Sequence, residues 1–200
     1  AGGQTVSAVE GVCMAQAFGK SLVCTANDIR IANVSQITDL SGNPLSSCIQ
    51  GTKFAFVANF NVTSTATSRY DIGLWFNTTG GANARTGTCS IQNLTPGGGF
   101  GSTNPVTLDS DQCYDINTPN NPQIAKLKFE DVSCDDSDGD GFLDLPYCTS
   151  WSQNTGVFCN DPTQTVPGSP SKCSCDDTFN IGIRVDTANI IVTKTASPTS

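Results

Sequence analysis

The stretch Lys53-Phe54-Ala55-Phe56-Val57-Ala58-Asn59-Phe60-Asn61-Val62-Thr63 decides the fold class. Phe54, Phe56, Ala58, Phe60 and Val62 recur at a period of two, the spacing that places side chains on one face of a strand. Ala55, Asn59, Asn61 and Thr63, with Val57, fall on the other face, so the stretch predicts a half-buried strand. A Ser/Thr-rich turn leads into 69–77, where Ile72, Leu74 and Phe76 oppose Tyr70 and Trp75, and the two strands read as a hairpin.

Further strands are predicted at 28–37, 105–108, 124–132, 179–185 and 189–195, and a set of this size implies a sandwich or a barrel. Turn-forming stretches separate them at 39–44, 79–81, 96–99 and 118–122. Segment 7–18 fits a helix, with Ser7 and Glu10 as a capping box and Gly19 as the stop, and fits a strand equally well.

Composition agrees with strands and turns. Sixteen aspartates stand against two glutamates, Ser, Thr and Asn supply 60 of the 200 residues, and Leu occurs nine times. Ten Lys and Arg against eighteen Asp and Glu give a net charge of −8, which offers no basic footprint for nucleic acid or anionic lipid. Histidine is absent, which removes Ser-His-Asp and Cys-His catalysis and any imidazole metal ligand. No apolar run approaches the roughly twenty residues of a membrane-spanning helix.

The ten cysteines, Cys13, Cys24, Cys48, Cys89, Cys113, Cys134, Cys148, Cys159, Cys173 and Cys175, form an even set. No C-x-x-C spacing suits thiolate ligation of a metal, so five disulfides in an oxidising, extracellular compartment are expected. Their connectivity stays open among roughly 945 arrangements. The start at Ala1-Gly2-Gly3-Gln4 fits signal-peptide cleavage and supports secretion only in concert with the cysteines, since an artificial boundary would look the same. The chain is read as one secreted β domain over 1–200, comprising an N-terminal segment 1–27, a Cys/Asp-rich loop region 109–178 and a C-terminal strand and tail 189–200.

The sharpest motif is Asp136-Ser137-Asp138-Gly139-Asp140-Gly141-Phe142-Leu143-Asp144. Asp136, Asp138 and Asp140 take positions 1, 3 and 5 of a calcium loop. Gly141 takes the sharp turn at 6, Phe142 offers a carbonyl at 7, and Asp144 offers an oxygen at 9. The bidentate Glu of position 12 is missing, because Tyr147 stands there. A solvated acidic turn is the competing reading. Filled with calcium, the loop and the disulfides of Cys134 and Cys148 would hold a stretch with little core of its own.

Other chemistries draw less support. Glu10, Glu130, Asp131 and Asp177 could form a carboxylate pair for glycoside cleavage, yet nothing in their spacing favours it, and no enzyme is expected. Trp75, Trp151, Tyr70, Tyr114 and Tyr147 could stack on sugar rings or fill a core. N-x-S/T sequons begin at Asn33, Asn61, Asn77 and Asn93.

Two stretches carry a resemblance: Leu22-Val23-Cys24-Thr25-Ala26-Asn27-Asp28-Ile29-Arg30-Ile31-Ala32, and Arg69-Tyr70-Asp71-Ile72-Gly73-Leu74 leading through Gly80-Gly81 to Gly87-Thr88-Cys89. They resemble the N-terminal region of secreted bacterial surface proteins, where similar regions precede a repeated β-sandwich domain of unknown function. The ending Ile191-Val192-Thr193-Lys194-Thr195-Ala196-Ser197-Pro198 resembles the opening strand of that repeat. The resemblance implies a bacterial surface or matrix role and carries no catalytic residues.

The expected protein is therefore an all-β, disulfide-stapled sandwich with long loops and one acidic calcium loop. Its expected role is structural, as the subunit of a homopolymeric surface filament joined head to tail by terminal-strand complementation. The donor would be 189–196 or 4–14. The alternative is a monomeric adhesin or glycan-binding module with a glycan or matrix contact.

Overall fold

In a computed structural model that describes residues 8–94, 101–156, 158–188 and 193–197, the alternation around Phe56 becomes burial. Phe56, Ala58, Phe60 and Val62 of β4 (Lys53–Ser64) lie in the core, and Phe54 packs against them. β4 pairs antiparallel with β2 (Ile29–Thr38) on one side and β9 (Gln123–Ser133) on the other, and β7 (Gly101–Ser102) adds to β9. This sheet is one wall of a sandwich.

The facing wall runs β1-β6-β5-β11-β12, formed by β1 (Val9–Val12), β6 (Thr88–Asn93), β5 (Ser68–Phe76), β11 (Tyr147–Ser152) and β12 (Cys173–Asp176). β8 (Ile116–Asn117) pairs with the start of β5. A third sheet sets β13 (Asn180–Asp186) between β10 (Phe142–Asp144) and a parallel β3 (Ser47–Ile49), and sends Leu143, Ile181 and Ile183 into the same core.

The expected hairpin of β4 and β5 does not form, because the two strands lie in opposite walls. Each carries one apolar face, and the two faces meet across the sandwich: the rings of Phe60 and Phe76 are edge-on with centroids 5.4 Å apart. Phe129 from β9 joins them, at 5.6 Å from Phe60 and 4.9 Å from Phe76. Edge-to-face pairs of this kind add roughly 0.5–1.5 kcal/mol beyond their area. Alternation reports only that a face is buried, and it is silent on whether the covering strand lies alongside or opposite.

The wall containing β5 is covered on both sides. Its outer face carries a second apolar cluster in which Trp75, Ile91, Cys148 and Cys173 pack against Cys13, Met14 and Cys89. Segment 7–18 supplies part of this cover, and within its described residues it is both a strand and a helix. β1 pairs with β6, then α1 (Met14–Phe18) turns back over Trp75 and ends at Gly19 in the left-handed conformation.

Register shifts bend the walls, and three of them coincide with left-handed residues. Gln36, Asp71 and Asp131 adopt left-handed backbone (φ 52°, 53° and 55°) where β2, β5 and β9 carry an extra residue against their partners. In β5 the extra residue puts Tyr70 and Ile72 on different faces, as the grouping of Tyr70 with Trp75 requires.

Segment 105–108 is a loop rather than the expected strand, with one isolated bridge between Val106 and Asp115. Asp115 draws this loop inward, since its carboxylate accepts the N–H of Leu108 at 2.5 Å. Of the expected strand 189–195, residues 189–192 lie outside the described residues, and 193–195 are exposed and belong to no strand.

All ten cysteines are paired: Cys13 with Cys89, Cys24 with Cys173, Cys48 with Cys134, Cys113 with Cys159 and Cys148 with Cys175. Two bridges, from Cys13 and Cys24, fasten the N-terminal segment to the β5 wall. Such a complement belongs to an oxidising environment. Among the described residues no helix is long and apolar enough to cross a membrane.

Candidate metal centre

Segment 136–144 follows β9, includes β10 and is flanked by covalent bonds, Cys134 to Cys48 on one side and Cys148 to Cys175 on the other. The Asp144 N–H donates to the Asp135 carbonyl at 3.1 Å, and the Val185 N–H on β13 donates to the Gly141 carbonyl at 2.9 Å, so the loop ends are also pinned by backbone bonds. Gly139 and Gly141 take φ of 78° and 89°, which glycine adopts without strain.

The carboxylates of Asp136, Asp138 and Asp144 converge, with one oxygen from each within 4.8 Å of the others. Ligand oxygens around calcium, at about 2.3–2.6 Å from the ion, stand at most about 5 Å apart. The spacing therefore suits a hard divalent ion. Asp140 points elsewhere: it accepts the Phe142 N–H at 2.8 Å and the Asn180 side-chain amide at 3.3 Å. Phe142 opens β10 opposite Arg184.

Backbone amides shape the charges. Asp136 accepts N–H bonds from Gly141, Gly139 and Asp140, and these, led by Gly141, hold its carboxyl below the usual range. Asp138 gains from the Asp140 amide, but desolvation and repulsion from Asp144 and Asp140 outweigh that bond, and its net shift is upward. Asp144 is the buried member. Its Oδ2 accepts from Ser137 N and Oγ, both at 2.7 Å, and from Asp138 N at 3.2 Å. Its Oδ1 is buried with no hydrogen-bond partner, an arrangement that costs free energy unless a cation or water reaches it.

Tyr147, at loop position 12, is a core residue. Its hydroxyl accepts the Ile31 N–H at 3.3 Å and donates to the Ile31 carbonyl at 3.4 Å, tying β11 to β2. Sequence reading missed Ser137 and Asn180. The first carries no ligand pattern of its own, and the second reaches Asp140 only through the pairing of β13 with β10.

The other sequence candidates separate. Glu10, Glu130 and Asp131 line one cleft of about 310 Å³ with Lys53, Lys128 and Ser90, while Asp177 lies elsewhere, paired with Arg85 at 3.2 Å. Glu10 is raised by desolvation against an opposing Ser90 hydrogen bond, with a further push from the Asp131 charge. Lys128 and Glu130 form an ion pair across 3.2 Å. Trp75 and Trp151 are both 0% exposed and offer no face to a sugar, and Tyr147 is buried, leaving Tyr70 and Tyr114 half-buried. Among the sequons, Asn33 is exposed, Asn61 is intermediate, and Asn77 and Asn93 are buried.

Comparison with known protein families, curated proteins and solved structures finds no match.

Proposed function

We propose that this chain is a secreted, calcium-stabilised structural subunit of a homopolymeric bacterial surface filament, joined head to tail by complementation with its C-terminal segment. The observation that carries the choice of terminus is covalent. Cys13 and Cys24 anchor the N-terminal segment to Cys89 and Cys173, and β1 already pairs with β6, so the described part of the 4–14 candidate, residues 8–14, is already committed within its own chain. Beyond β13 the described residues 193–197 are exposed and belong to no strand. An added strand would satisfy a row of backbone donors and acceptors at once, and a head-to-tail contact does not close on itself.

Calcium enters through Asp136, Asp138 and Asp144, supported by the 4.8 Å convergence and by the orphaned Oδ1 of Asp144. A loop of this kind, filled at roughly 10⁻⁴–10⁻³ M calcium, would be permanently occupied outside the cell. The resemblance to secreted bacterial surface proteins points the same way. The reading assigns no catalysis.

Sedimentation and electron microscopy of the chain, disulfides formed and calcium present, test the filament. Polymers that disappear on deletion of 189–200 are expected. An intact chain that stays monomeric at high concentration overturns the filament in favour of the monomeric adhesin.

A further inference from the structure

The bulge at Asp71 turns its side chain toward a loop that comes from elsewhere in the sequence. One carboxylate oxygen from each of Asp71, Asp109 and Asp111 lies within 4.8 Å of the others. Asp71 is 3% exposed, and its Oδ1 is buried without a hydrogen-bond partner. Both oxygens of Asp109 are likewise buried and unpartnered. Asp111 accepts the N–H of Cys113 at 3.1 Å through Oδ1 and the N–H of Cys159 at 3.2 Å through Oδ2, which fixes it between the two others. Among the described residues none of the three forms an ion pair with Lys or Arg.

Three acids this close and this buried repel one another, and the structure supplies no donor for the orphaned oxygens. We infer that Asp71, Asp109 and Asp111 form a second cation site, for a hard divalent ion such as calcium. The oxygen spacing fits the roughly 5 Å limit set by calcium–oxygen distances, and three carboxylates balance a divalent charge to a net of −1. A cavity of about 110 Å³, bounded by Asp109, Asp111, Gly156 and Phe158, opens on the site and has room for a few coordinating waters. The nearby sulfurs of Cys113 and Cys159 are bonded to each other and are not thiolate ligands.

The site joins three distant parts of the chain: β5, the 109–111 loop and, through the Cys113–Cys159 bridge, the surroundings of Cys159. Bound ion and disulfide together would hold the loop 105–115 against the β5 wall. Nothing in the linear sequence signals this, because the decisive carboxylate of Asp71 stands 38 positions before Asp109 and inside a strand.

Calcium counting on the full chain, stripped with chelator and dialysed against calcium alone at pH 7.5, tests the site. Wild type is expected to bind two ions, Asp138→Ala one, Asp71→Asn one, and the double variant none. Asparagine tolerates the left-handed backbone of position 71, and Asp109→Asn, which keeps the shape of the side chain and one acceptor oxygen, serves as a second variant. A crossover is also expected. In chelator Asp71→Asn should melt at or above wild type, because the cost of burying an acid beside two others is gone, whereas in calcium it should melt below. Two ions in wild type, Asp71→Asn and Asp109→Asn alike overturn the proposal, as does one ion in wild type that Asp138→Ala abolishes. A single ion lost in Asp71→Asn and kept in Asp138→Ala supports this site and overturns the 136–144 loop instead.

Discussion

The backbone N–H of Asp71 donates to Oδ1 of Asp115 across 2.8 Å, and that bond secures the bulge that shapes β5. Asp115 is fully buried, and its Oδ2 takes the Leu108 N–H at 2.5 Å, so one carboxylate serves two backbone donors, one from the β5 bulge and one from a loop. Asp115→Ala strands both. Leaving a buried donor unpaired costs about 1–3 kcal/mol, and a total loss of about 2–4 kcal/mol is expected in urea unfolding. Asp115→Asn, which retains one acceptor, should lose less. Equal stability of the alanine variant and wild type would refute this role.

Stability in chelator should fall as pH rises from about 5 to 8. Burial, reinforced by the charges of Asp111, Asp109 and Asp115, pushes Asp71 up to about 8. Burial raises Asp115 to about 6 against its two backbone bonds. In the unfolded chain both ionise near 4, so the folded state holds the extra protons in this window. A raised carboxyl contributes stability below the unfolded pKa that is lost as pH climbs through the folded one. Asp136, Asp39 and Asp186, whose carboxyls are lowered, are ionised in both states over this range and add no slope. Urea midpoints across the range, with and without Asp71→Asn, measure it. A flat wild-type profile would contradict the burial of these acids.

Calcium should raise the melting temperature through the 136–144 loop, by an amount equivalent to about 1–3 kcal/mol when the ion is 10- to 100-fold above its Kd. Asp138 is exposed, so Asp138→Ala should remove that loop's increment while leaving the chelated protein within about 0.5 kcal/mol of wild type. Loss of stability in chelator as well would mean that Asp138 supports the fold rather than an ion.

Gly73 faces the side chains of Thr165 and Ser150, and a Cβ at this position would overlap both. Ser150 is committed there: its Oγ accepts the Trp75 indole N–H at 2.8 Å and donates to the Thr165 carbonyl. Gly73→Ala should destabilise by about 1–3 kcal/mol through overpacking, and Thr165→Ala in the same chain should recover part of it. Calorimetry of the two variants decides this, and an additive double variant would exclude the clash as the cause.

Alkylation of the unreduced protein should add no label, since no cysteine is free. Replacing the Cys24–Cys173 pair should cost about 4 kcal/mol and the Cys148–Cys175 pair about 3.5 kcal/mol, because with the other bridges formed the first closes a path of roughly 40 residues, through 24–48, 134–148 and 173–175, and the second one of 27. Unfolding of the two alanine pairs gives the order. The reverse order would show that local packing around Cys148, opposite Cys175 on β12, outweighs loop entropy.

Much of the architecture is legible in the chain. The period-two pattern of Phe54 to Val62 marks β4 and its buried face, because side-chain direction in a strand is a local property. An even, dense cysteine set without metal spacing implies full pairing for reasons of redox chemistry alone. The D-x-D-x-D-G run brings Asp136 and Asp138 together because the loop closes within a few residues.

Tertiary structure alone decided what depends on distant contacts. Alternation marks Phe60 and Phe76 as buried, yet only the assembled walls set them across the core from each other, ring edge against ring, instead of side by side in one sheet. The partner of each cysteine follows from which strands meet, as when Cys134 reaches back to Cys48. Asp71 reads as one more polar residue in a strand, and it becomes an orphaned carboxylate only when a left-handed bulge turns it toward Asp109 and Asp111. Local sequence fixes the direction of a side chain, but its neighbours across the core are set by the free energy of packing the whole chain, which no short stretch contains.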